Sequence, residues 1–144
     1  QLLAAACRAE AEIRLVLLGR IDPNFPLGRG AVVHGPYERR DIPHLVARYG
    51  ITCWLVPSIW PETFSFSTHE AAATGLPMIS FDLGAQGDIV RAMPGGVVLP
   101  TPRDPAELSA AVDEILRQAQ ELTRAIRHPA GGGPVLREVG PVPR

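Results

Sequence analysis

The sequence predicts an α/β protein, a doubly wound parallel sheet with helices on both faces. Three observations carry this. Short apolar runs at 13–18, 51–56 and 77–81 have the length and composition of buried strands. Between them lie segments with apolar residues at helical spacing, and a helical crossover makes successive strands parallel. The 144 residues, 46% of them hydrophobic, suffice for one domain with a core of its own.

Each element follows in order. Residues 2–11 are Ala-rich with helical spacing, and 13–18 form a strand ending at Gly19. A connection containing Pro23, Pro26, Gly28 and Gly30 leads to a short strand at 31–34, closed by Gly35 and Pro36. Asp41 with Pro43 behind it starts a helix that runs to Tyr49 and stops at Gly50. After the strand at 51–56, a polar, proline-rich loop at 57–62 enters a helix at 65–74, with Gly75 as its C-terminal cap. A strand at 77–81, a short helix at 85–92 and a strand at 96–99 come next. Asp104, Pro105 and Glu107 cap a long amphipathic helix to Arg127, and residues 128–144, with Gly131, Gly132, Gly133 and Pro134, form a flexible tail or linker.

Composition narrows the function. The net charge of −1 with mixed signs leaves no broad basic face, which disfavours nucleic acid as a partner. Cys7 and Cys53 lack metal-ligand spacing and suit a reduced, cytoplasmic protein. No apolar run reaches membrane-spanning length, and no signal peptide is recognisable. Peripheral contact with the inner face of a membrane stays open.

In such sheets ligands bind beyond the carboxyl ends of the strands, where helix N-termini present free amides. The loops after His34, Val56 and Phe81 meet that condition, and the second is the richest. Glu62 precedes its helix and Glu70 lies inside it, while the amides of Ser65, Phe66 and Ser67 open a phosphate site between them. One carboxylate there could accept two ribose hydroxyls, and the other could hold sugar hydroxyls or stabilise positive charge on a sugar ring. Two glutamates at this spacing carry little alone: Glu62 is equally a carboxylate favoured by the helix dipole, and Glu70 a solvated helix charge.

The surrounding residues change the weighting. Pro57-Ser58, Pro61-Glu62-x-Phe64, Glu70-Ala71, Gly75-Leu76-Pro77-Met78-Ile79 and Asp82-x-Gly84 occur in that order. Asp88-Ile89-Val90, Gly95-Gly96 and Asp104-Pro105-Ala106-Glu107-Leu108 follow. Together they resemble the family-4 type of GT-B glycosyltransferases (glycosyl transferases group 1) over residues 13–120. That family carries two glutamates separated by seven residues in its C-terminal, donor-binding domain.

The resemblance implies a Rossmann-like donor domain at 1–127 and a retaining transferase that moves a sugar from a nucleotide-diphosphate sugar to a glycan or lipid-linked acceptor. Polysaccharide or surface glycan synthesis is the implied setting. It further implies that Glu62 contacts the transferred sugar in a catalytic electrostatic role and that Glu70 binds the ribose. The amides of Ser65 and Phe66 would hold the diphosphate, Thr63 and Phe64 would line the sugar pocket, and Tyr37 would read the nucleobase through its backbone. No metal or other cofactor is implied; the nucleotide sugar is the substrate.

Two departures stand out. Thr63 and Ser65 flank Phe64 where the family usually has Gly, which bears on sugar preference. The family's domain also opens with a strand and a glycine-rich loop carrying Arg and Lys, and neither is found before Leu2. Gly19-Arg20 follows the second strand of the family order and is not that loop; Arg39 or Arg40 could substitute electrostatically. The expectation is a sheet lacking its first, central strand, either left with a gap or filled by another chain or segment. An exposed break would favour association into a homo-oligomer. Without an acceptor half the isolated fragment is expected to be inactive. A non-catalytic nucleotide-binding or scaffold module of the same fold, and a sugar-nucleotide epimerase, are the alternatives.

Overall fold

The computed structural model describes residues 2–9, 13–24, 26–27 and 31–128. Its elements are α1 (Leu2–Ala9), β1 (Leu15–Leu18), β2 (Ala31–Gly35), a 3-10 turn (Arg39–Asp41), α2 (Ile42–Tyr49), β3 (Trp54–Val56), α3 (Phe66–Ala72), β4 (Met78–Phe81), α4 (Gly84–Ala92), β5 (Gly96–Leu99) and α5 (Pro105–Arg127). The order is that predicted. The expected first-helix end at 10–11, Gly28, Gly30 and the tail from 129 onward lie outside the described residues.

Helix ends follow local chemistry. Gly50 terminates α2 in the left-handed region, at φ 60°, where a side chain would be strained. The Asp104 carboxylate accepts from the Glu107 amide at 2.8 Å and starts α5, with Pro105 at the first helical position. The capping of α3 differs from expectation. Its last helical residue is Ala72 and Ala73 is the right-handed cap, while Gly75 closes the turn that follows. The Thr74 hydroxyl accounts for the early stop: it donates to the Ala71 carbonyl and accepts from the Trp54 indole, which draws the chain out of the helix.

All strand pairs are parallel. Among the described residues the sheet is split, with β1 paired to β2 and β3–β4–β5 forming a second sheet. Among the described residues β1 and β3 are not hydrogen-bonded to each other. Residues of β1 and β3 line one cleft of about 1460 Å³, and Val112, Ile115 and Leu116 of α5 also line it.

The core is built around β4, whose four residues are all buried. Alternation sends Met78 against Ala71 and Val90 on the α3/α4 side, and Ile79 and Phe81 against Leu99 and Ile115 on the α5 side. Burying each such side chain stabilises the fold by about 1.5–3 kcal/mol, so β4 anchors both layers. Helix α5 also packs on α1 and β1 through Val112, Leu116 and Cys7. Helix α5, with Leu3 of α1, thus packs against both sheets. Burial raises the thiol pKa of Cys7 and pushes that of Cys53 up to about 12, so both thiols stay protonated at neutral pH. Among the described residues no helix is long and apolar enough to cross a membrane.

Candidate functional site

The loop after β3 and the start of α3 lie at the carboxyl edge of the larger sheet. Ser65 precedes α3 in extended conformation, but its side chain does not cap the helix. Its hydroxyl instead pairs with the Thr68 hydroxyl at 2.7 Å, and both residues are buried. Among the described residues the first turn of α3 therefore has no side-chain acceptor over its amides.

Glu62 and Glu70 border the same cleft, together with Tyr37 and Ser67. Glu62 is exposed, and its carboxylate has no hydrogen-bond or ion-pair partner among the described residues. Its backbone, by contrast, is anchored: the Glu62 carbonyl accepts from the Ala85 amide at 2.8 Å, at the start of α4. Glu70 is half-buried and accepts a long hydrogen bond, 3.4 Å, from the Tyr37 hydroxyl. Burial raises the Tyr37 phenol pKa, with the Glu70 charge and the hydrogen bond adding to it, so the phenol is a neutral donor at physiological pH.

The remaining sequence-derived positions divide. Thr63, Phe64 and Phe66 are exposed and Ser65 is buried, and none of the four lines the cleft. Phe64 (53% exposed) stacks on His69, with ring centroids 4.5 Å apart, and meets Phe66 (76% exposed) edge-on at 4.7 Å. Trp60 is 75% exposed, so neither it nor Phe66 is a core aromatic. His34 is engaged within the fold, its Nδ1 lying 2.9 Å from the Tyr49 hydroxyl. Arg39 and Arg40 are exposed and outside the cleft lining, and Arg40 pairs with Glu38 at 2.9 Å.

Two contacts had no clear signal in the sequence. One is the Tyr37–Glu70 pair, made by residues 33 apart in the chain. The other is the seat of Glu62 on α4. The Asp82-x-Gly84 motif marked that turn but not what rests on it.

Comparison with known proteins gives the family. Residues 3–129 match the family described as Glycosyl transferases group 1, and the chain belongs to that family. It is 30% identical over 129 residues to the MMP alpha-(1->4)-mannosyltransferase of Mycolicibacterium hassiacum. That match takes in 83% of this chain, which spans 31% of the relative's length. No solved structure matches the chain.

Proposed function

We propose that this chain is the donor-binding part of a retaining glycosyltransferase that takes a sugar from a nucleotide-diphosphate sugar. The single observation that carries the reading is the position of Glu62 and Glu70 on one cleft, with the uncapped first turn of α3 between them in the chain. The nucleotide sugar lies at the end of the cleft bordered by Glu62 and Glu70. Glu70, with Tyr37 beside it, takes the ribose hydroxyls, and the backbone near Tyr37 faces the base. Amides of Ser65 and Phe66 stabilise negative charge on the departing diphosphate. As the bond to the diphosphate lengthens, the sugar ring gains positive charge, and the Glu62 carboxylate stabilises it.

Thr63 and Phe64 lie outside the cleft lining, and their role at the sugar rests on their place in the Glu62 loop. The mannosyltransferase relative supports a hexose as the transferred group. A glycan or lipid-linked sugar is the acceptor, held by a part of the enzyme outside this chain.

The test is direct. An intact transferase containing this chain should turn over a nucleotide-diphosphate hexose in the presence of acceptor and give a product of retained anomeric configuration by NMR. The isolated chain should bind nucleoside diphosphates in calorimetric titration without transferring sugar. Turnover by the isolated chain would remove the two-part arrangement, and an inverted product would remove retention.

A further inference from the structure

Gln86 lies near the start of α4 and is fully buried, at 0% exposure. Its carboxamide is directed at the Glu62 loop: Nε2 donates to the Trp60 carbonyl at 2.9 Å, and Oε1 accepts from the Glu62 amide at 3.4 Å. Those two groups flank Pro61, which has no N–H of its own. In a parallel ladder, one residue's N–H and C=O engage the C=O and N–H on either side of its partner. The Gln86 side chain reproduces that pattern where no strand is present.

The seat beneath the loop is equally restrictive. Gly84 has φ +57°, and a Cβ there would lie 2.8 Å from both the Glu62 nitrogen and oxygen and 3.1 Å from the Pro61 Cα. At Gly87 a Cβ would lie 3.0 Å from the Phe81 carbonyl oxygen, so the start of α4 is also pressed onto the end of β4. With the Ala85–Glu62 bond, residues 60–62 are held to α4 by three hydrogen bonds and one close backbone contact. Displacing the loop would orphan a buried carboxamide at both ends, which opposes displacement.

We propose that Gln86 is the positioning residue of Glu62. It fixes the backbone of the Glu62 loop so that a carboxylate without a side-chain partner keeps its place on the cleft. Gln86 acts through Glu62 and does not touch substrate. The proposal rests on the reading of Glu62 as the group facing the transferred sugar.

The experiment uses the intact transferase containing this chain, with Gln86→Leu, Gln86→Glu and Glu62→Ala prepared separately. Gln86→Leu should lower kcat by about 10- to 100-fold, the scale set by misplacing a catalytic group by an ångström or less. Its affinity for the nucleoside diphosphate alone should stay within about twofold of wild type, because Glu70 and Tyr37 are untouched. Hydrogen exchange at the Glu62 amide should accelerate, with exchange in α5 unchanged.

Gln86→Glu keeps the acceptor for the Glu62 amide and loses the donor to Trp60, so its kcat should fall between wild type and Gln86→Leu. It also serves as the measurement if Gln86→Leu does not fold. Unchanged kcat in a folded Gln86 variant, with Glu62→Ala inactive, would overturn the positioning role alone. Near-normal rates in Glu62→Ala would instead overturn the site reading beneath it. Loss of kcat and nucleotide affinity in parallel would show a merely structural glutamine and also overturn the proposal.

Discussion

The loop carrying Glu62 and the helix carrying Glu70 border the same cleft, yet they hold their carboxylates by different means. Glu62 is held through its backbone, by the Ala85 amide and the Gln86 carboxamide, while its side chain has no hydrogen-bond or ion-pair partner among the described residues. Glu70 sits inside α3, and its side chain has a neutral partner in Tyr37. A carboxylate left unpaired can respond to charge that appears only as a bond breaks. One that already accepts a hydrogen bond is suited to neutral hydroxyls present throughout the reaction. On the proposed reading, chemistry falls to the loop and affinity to the helix.

That division can be broken most directly at Glu62. In the intact enzyme, Glu62→Ala should cut the transfer rate by at least about 10²- to 10³-fold, the range seen when a preorganised electrostatic group is removed. Nucleoside diphosphate affinity, measured by titration calorimetry, should change little. If affinity fell as far as the rate, the two carboxylates would share one task and the contrast would be lost.

The converse substitution sharpens it. Glu70→Ala should weaken nucleotide binding by about 10- to 100-fold, since hydrogen bonds to a charged group are worth about 1.5–3 kcal/mol. With saturating donor, the transfer rate of this variant should recover most of its loss. Failure to recover would move Glu70 into the chemical step.

A smaller effect probes the seat of the loop. Gly84→Ala should destabilise the fold by about 1–3 kcal/mol, combining left-handed strain with the close contact to Glu62. Gly75→Ala is the control: its φ of +72° carries the same kind of strain, but nothing lies within 4 Å of the added carbon. Thermal unfolding should therefore show the larger drop for Gly84, and only Gly84→Ala should also slow transfer. Equal drops in melting temperature would mean that the loop yields easily.

The smallest effect concerns Tyr37. Its phenol pKa is raised, so the folded state favours the neutral form. The stability this confers is present below about pH 10, the ordinary tyrosine value, and is lost as pH rises above it. Titration of tyrosinate absorbance should show Tyr37 ionising late. In Glu70→Ala that ionisation should move part of the way back, because burial, the largest cause, remains. No movement would mean that the long Tyr37–Glu70 contact does not persist in solution.

Much of this architecture was legible in the residues. The strand at 96–99 and the caps at Gly50 and Asp104 follow from local rules, because a left-handed glycine or a capping carboxylate acts within a few residues. The Glu62–Glu70 spacing was legible as a motif, and both residues border one cleft. The exposure of Trp60 and Phe66 was not, since an aromatic beside a strand is core or surface according to what packs over it. The early end of α3 was also hidden, because it depends on the Trp54 indole, 20 residues away from Thr74.

By itself, the sequence determined the order of elements, the parallel pairing, the family and the loop that carries the acidic residues. Those properties rest on periodicity, capping and motif spacing, which are interactions of near neighbours. Only the tertiary structure decided that the strands form two sheets and that Tyr37 meets Glu70. It alone also brought a buried glutamine 24 residues downstream onto the backbone of Glu62. These are contacts between distant segments, and they arise because buried polar groups must find partners wherever the packed chain supplies them.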